Sequence, residues 1–180
     1  MAILADENLR VIVQGITGRE ASTFTKDMMD YGTHVVAGVT PGKLGQTVHG
    51  VAVYDTVRQA LKEHPAEASV ISVPPALVKD AVIEALENGI KLVVVISERV
   101  PRKDAIEFLE VANENKARVI GPNTLGLISP EKIKLGMAGG PVGDVKKAYM
   151  PGCNSNTSRH IRFFNVTHRT AGHSQLNFFW

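Results

Sequence analysis

Residues 9–21 read Leu9-Arg10-Val11-Ile12-Val13-Gln14-Gly15-Ile16-Thr17-Gly18-Arg19-Glu20-Ala21. The first six are a short strand rich in Val and Ile that stops at Gly15. A helical stretch follows from about Ala21 to Tyr31, and Gly32 closes it as a C-cap glycine does. A strand, a glycine turn and a helix in that order are the opening of a βαβ unit.

The same alternation continues outward from this segment. His34 to Val39 is a second apolar strand, closed by Thr40-Pro41-Gly42-Lys43. Val51 to Tyr54 is a short edge segment, and Thr56 opens a helix to about Glu63. Ser69 to Val73 is a third buried strand, broken by Pro74-Pro75. Ala76 to Asn88 is an amphipathic helix capped by Gly89, and Lys91 to Ser97 is the fourth main strand. Arg102 to Asn115 is the next helix, and Arg118 to Ile120 the fifth strand, leading into Gly121-Pro122-Asn123. Apolar strands alternating with helices predict an α/β, Rossmann-like doubly wound parallel sheet over residues 1–126, covered on both faces. Residues 127–152, rich in Gly, Pro and Lys, read as an irregular linker.

Composition narrows the function classes. The chain has 180 residues, 44% apolar and 21% charged, with 16 glycines, nine prolines and one cysteine. That balance excludes collagen-like and disordered chains. One cysteine excludes a disulfide framework and a thiolate metal cluster within the chain, and points to the cytoplasm. No run approaches the ~20 apolar residues of a membrane span, and Asp6 and Glu7 interrupt any signal-peptide core. A net charge of +2 argues against bulk nucleic-acid binding. All 18 acids and 17 of the 20 Lys and Arg lie in residues 1–152, so residues 153–180 form a separate, acid-free stretch. It is an atypical tail, read either as a natural basic terminus or as out-of-frame sequence.

Ligands of a doubly wound sheet bind beyond the carboxyl ends of the strands. The turn after the first strand is spaced G-x-x-G-x-x-A, not G-x-G-x-x-G, with Thr17 where the close-approach glycine of a dinucleotide fingerprint stands. The loop after the second strand offers Lys43 where a NAD site wants a carboxylate for the ribose hydroxyl. A lysine there attracts a phosphate, so the residues admit a nucleotide with an extra ribose phosphate: NADP and coenzyme A both qualify. Pro74-Pro75 makes a stiff apolar wall, and Ile96-Ser97-Glu98 and Gly121-Pro122-Asn123-Thr124 end strands at the same rim. No H-E-x-x-H or Walker A motif is present, and no Ser-His-Asp or Cys-His pair assembles. His34, in a strand, reads as a satisfied structural residue, and no catalytic or metal-binding residue is assigned.

The segments VIVQGITGREASTF, YGTHVVAGVTPGKLGQTVHGVAVYDTV, ASVISVPPALVKDAVIEALENGIKLVVVISERVP and RVIGPNTLGLISP run in order over about residues 8–130. Together they resemble the CoA-binding domain of succinyl-CoA synthetase α-type subunits. The resemblance implies coenzyme A as ligand. It carries the glycine-rich turn over to Thr17, Gly18, Arg19 and Glu20, and the loop lysine to Lys43. It carries the proline wall to Val73 and Pro74, the segment after the fourth strand to Ile96, Ser97 and Glu98, and the last turn to Pro122 and Asn123. It also implies a β-type ligase subunit as partner, and a reaction that joins an acid to a thiol through a phosphohistidine in a second domain. None of the six histidines here stands in that residue's context. The expectation is therefore the CoA-binding part of an α-type ligase subunit, with a stand-alone, non-enzymatic CoA-binding module as the alternative.

Overall fold

A computed structural model describes residues 5–129 and 132–138. Its main sheet has seven strands: β1 (Arg10–Gln14), β2 (His34–Val39), β3 (Thr47–Val48), β4 (Val51–Tyr54), β5 (Ala68–Ile71), β6 (Leu92–Val95) and β7 (Arg118–Ile120). Their order is β3-β4-β2-β1-β5-β6-β7. Every neighbouring pair is parallel except β3 with β4. Counting the six parallel strands alone, the order is that of the dinucleotide-binding doubly wound sheet. The expected architecture is present. Val51–Tyr54 is not the edge, however, because two residues of β3 lie outside it.

The strands are short runs of Val, Ile, Leu and Ala because both faces are buried. Val11 and Val13 point to one core, with Phe24, Met28, Val70 and Val94. Ile12 points to the other, with Ile71, Val93, Val95, Leu86 and Phe108. This alternation is the strand's period of two, and each fully buried Val, Ile or Phe contributes about 1.5–3 kcal/mol. Helices α2 (Val57–Glu63), α3 (Val78–Glu87) and α4 (Arg102–Glu114) supply the second core. Thr56 caps α2 by accepting from Gln59 N. The helix expected from Ala76 starts instead as a 3₁₀ turn over Pro75–Leu77 before α3, with Pro75 at the opening position, where its missing amide costs no bond.

Helix α1 (Arg19–Tyr31) covers the first core and ends at Gly32, whose amide donates to Met28 O and Met29 O at φ 106°. One helix cannot cover that face. The rest is filled by an antiparallel hairpin, β8 (Gly126–Ser129) and β9 (Ile133–Gly136), every residue of which is buried. The irregular linker expected over 127–152 is corrected here: residues 127–129 and 133–136 of it are strand, because Leu127, Ile133 and Leu135 complete the α1-side core. The remainder of 127–152, beyond Ala138, and the tail 153–180 lie outside the described residues. His34 lies in a strand as expected, exposed at the first position of β2. None of the described helices is long and apolar enough to cross a membrane.

Candidate functional site

The strand order reverses at β1, whose neighbours β2 and β5 lead chain connections away in opposite directions. A crevice opens there. Gly15 turns the chain at φ 79°, and a Cβ on it would collide with Ser72 O, so only glycine lets the two loops approach so closely. Below them the buried Gln14 amide donates to Ser69 Oγ at 3.1 Å and Ala81 O at 3.0 Å, which settles the polar group in the core. Gly15 N donates to Val39 O (2.7 Å), Ser72 N to Gln14 O (3.0 Å) and Gly18 N to Gly15 O (2.9 Å). Gly18 is the N-cap of α1 and brings no side chain to it. The first-turn amides of α1 therefore open toward the crevice, where an anion can accept from them.

The other loops of the rim are fastened to one another. Ser97 Oγ donates to Val73 O at 2.6 Å and accepts from Val73 N at 3.1 Å. Asn123 N, at φ 58°, donates to Ser97 O at 3.0 Å. The loops after β5, β6 and β7 are thus tied to one another. They and the start of α1 enclose a cleft of about 900 Å³, within the range of pockets that hold nucleotide-sized ligands. One wall is apolar, with Val73, Pro74, Pro75, Ile96, Leu125 and Met137; Arg19, Glu20, Glu98, Arg99 and Asn123 bring polar groups. Arg99 Nε lies 3.4 Å from Glu98 Oε1, an exposed pair worth little by itself. A helix start that can hold a phosphate beside an apolar wall suits a nucleotide with an apolar portion.

Nine of the twelve residues expected at the site line this cleft: Gly18, Arg19, Glu20, Val73, Pro74, Ile96, Ser97, Glu98 and Asn123. Ser97 does so with its hydroxyl committed to Val73. Thr17, Lys43 and Pro122 stand outside the lining. Thr17 Oγ1 donates to Thr40 Oγ1 at 3.3 Å and ties the first two loops together, and Pro122 follows Gly121 through a cis peptide bond. Lys43 is exposed on the loop after β2, its amide donating to Thr40 O at 3.1 Å and Asp55 Oδ1 at 3.0 Å. Sequence reasoning placed Ala21, Pro75 and Thr124 in the turns and wall of this rim without counting them in the site, and it missed Ser72, Arg99, Leu125 and Met137. Adjacency to an expected residue could have found the first two. Nothing in the sequence places Met137 there, because the β8–β9 hairpin delivers it.

Comparison with known proteins agrees with this geometry. The chain is 49% identical over 137 residues to the α subunit 1 of ADP-forming succinate–CoA ligase from Archaeoglobus fulgidus, covering 76% of this chain and 47% of that one. It is 46% identical over 144 residues to the corresponding α subunit of Aquifex aeolicus, covering 79% and 47%. A subunit of ADP-forming sulfoacetate–CoA ligase from an Acholeplasma species is 49% identical over 136 residues, covering 76% and 46%. The match thus spans a little under half the length of each relative. Among solved structures, ATP citrate lyase from Methanothrix soehngenii in complex with citrate and coenzyme A shares the fold, with a TM-score of 0.73 and 24% identity over 84% of this chain and 27% of that one. Residues 6–99 match the CoA binding domain family. With the uncapped helix start, the apolar wall and that match over more than half its length, the chain belongs to the CoA binding domain family.

Proposed function

We propose that this chain holds coenzyme A for an α-type subunit of an ADP-forming acid–thiol ligase, working with a β-type partner in the cytoplasm. The observation that carries the reading is the uncapped start of α1 opening onto an apolar-walled cleft, with Lys43 and not an acid on the next loop. The pyrophosphate accepts from the first-turn amides of α1 at Arg19 and Glu20, Gly18 N being taken by Gly15 O. The ribose 3′-phosphate meets the Lys43 ammonium as a charge-assisted contact. The pantetheine arm lies along Val73, Pro74 and Ile96, between Glu98 and the Ser97-clamped loop, and its thiol points toward Pro122 and Asn123. Relatives named for succinate and for sulfoacetate share this domain, which supports a domain that selects the thiol and leaves the acid to other parts of the assembly.

Calorimetry on the full chain tests the reading. Coenzyme A is expected to bind more tightly than NAD. Equal affinity, or a preference for NAD, would remove it.

A further inference from the structure

We propose that Asp55 is a positioning residue for the ligand's ribose phosphate, acting through the loop that carries Lys43. The inference rests on the reading of Lys43 as the phosphate contact and deepens it. The loop between β2 and β3 is pinned at its ends by backbone bonds to β4. Thr40 N donates to Tyr54 O at 2.8 Å, Gly45 N to Val53 O at 3.1 Å, and Val53 N to Gln46 O at 2.9 Å. Its tip has a different anchor. Lys43 N and Leu44 N both donate to Asp55 Oδ1, at 3.0 and 3.1 Å. Lys43 and Leu44 are exposed, and Leu44 keeps 58% of its surface open to water. Packing therefore does not hold the tip; its turn bonds, Lys43 N to Thr40 O and Gln46 N to Lys43 O at 3.1 Å, shape it, and the Asp55 carboxylate ties it to the end of β4.

Asp55 is itself held. Its amide donates to Gln59 Oε1 at 3.2 Å, while Gln59 N donates to Thr56 Oγ1 at 3.2 Å. The backbone that carries the carboxylate is thus fixed to the first turn of α2 by capping bonds. A doubly wound sheet that takes NAD carries an acid after its second strand to meet the ribose. Here an acid reaches the same loop from the neighbouring strand, and one of its oxygens is committed to two amides. A carboxylate near a phosphate repels it; one that accepts two backbone bonds has part of that charge compensated and fixes the direction of the lysine. Asp55 and Lys43 therefore act as one unit, the acid orienting the loop and the ammonium meeting the phosphate.

Affinities of coenzyme A and dephospho-CoA for the full-length chain and its variants test the coupling. Asp55→Ala removes the anchor and is expected to weaken coenzyme A about tenfold, as when the competent loop falls to a tenth of the population. Dephospho-CoA is expected to change less than about threefold, and in a Lys43→Ala background the Asp55→Ala change should add nothing. Asp55→Asn keeps the accepting oxygen and is expected to stay within about threefold of the unmodified chain for both ligands. Asp55→Glu keeps the charge but displaces the oxygen by a methylene, so it should behave as Asp55→Ala does and carries the same test if that variant fails to fold. Equal losses for both ligands, or additivity with Lys43→Ala, overturn the proposal. If the unmodified chain does not prefer coenzyme A to dephospho-CoA, the reading of Lys43 falls as well; if it does and the Asp55 variants match it, only this inference falls.

Discussion

The two halves of the ligand-binding rim are built differently. After β1, β5, β6 and β7 the loops are locked to each other by Gly15 against Ser72, by Ser97 with Val73, and by Asn123 with Ser97. After β2 the loop projects into water, and beyond its own turn bonds its tip is tied down by one carboxylate. The first half uses the same contacts for stability and for shape. The second uses contacts that stability hardly needs. Substitutions in the first half should therefore change folding and binding together, and those in the second should change binding alone.

Gly15→Val attacks the locked half most severely. It puts a β-branched residue at φ 79° with its Cβ against a backbone oxygen, a clash that no rotamer relieves. The expected loss is about 3 kcal/mol or more of unfolding free energy, with coenzyme A binding lost as well. Denaturant unfolding within about 1 kcal/mol of the unmodified chain would show that the crossing of the two loops is looser than its geometry says.

Ser97→Ala is the milder cut in the same half. It leaves Val73 N and Val73 O without the hydroxyl they share. The expected cost is about 1–2 kcal/mol in stability, accompanied by weaker coenzyme A binding as the loops after β5 and β6 part. Weaker binding with stability unchanged would make Ser97 a direct ligand contact, and the division between the two halves would fail at that residue.

This division also explains what could be read from the chain before its structure. The parallel strands announce themselves because Val11–Val13 and Leu92–Val95 are buried on both faces, which forces continuous apolar runs. The site's turns announce themselves through Gly15, Gly18 and the Pro74-Pro75 pair, whose backbone constraints are local. The β8–β9 hairpin does not. Its strands are four residues each, and Lys134 in the middle of β9 reads as a surface residue although it is fully buried. Asp55 stays hidden for a related reason: its partners are 12 and 11 residues away, and only the pairing of β4 beside β2 brings them together.

Lys43→Ala is the matching cut in the exposed half, and its signature is the opposite of that of Ser97→Ala. Stability is expected to stay within about 0.5 kcal/mol, as for a surface substitution. Coenzyme A should lose about 1–2 kcal/mol of binding, the scale of a hydrogen bond to a charged group, while dephospho-CoA should scarcely change. Equal losses for both ligands would place the lysine on the pyrophosphate or on loop structure.

The gentlest expected effect sharpens the locked half, to which the hairpin contributes Met137. Thr33 Oγ1 donates to Lys134 O at 2.6 Å and accepts from Lys134 N at 3.1 Å, which fastens β9 beside the end of α1. Burial pushes the Lys134 ammonium below the usual lysine range, and Asp27, with Oδ2 at 4.0 Å, offsets this only in part. Between that lowered value and the unfolded one near 10.5, the unfolded chain binds more protons than the native chain does. Stability contributed by this group therefore rises with pH through that window, at no more than about 1.4 kcal/mol per pH unit, and is flat on either side of it. Tyr54, raised by its bond to Glu63, and Lys79, raised by Glu107, work in the opposite sense, because each holds its proton more tightly when folded. The readout is thus the difference in unfolding free energy between the chain and Lys134→Met, followed from neutral to alkaline pH. A difference that moves in favour of the lysine chain as pH rises supports a buried ammonium in the folded hairpin. A difference independent of pH would mean that Lys134 reaches water, and the hairpin would then belong with the loosely held half.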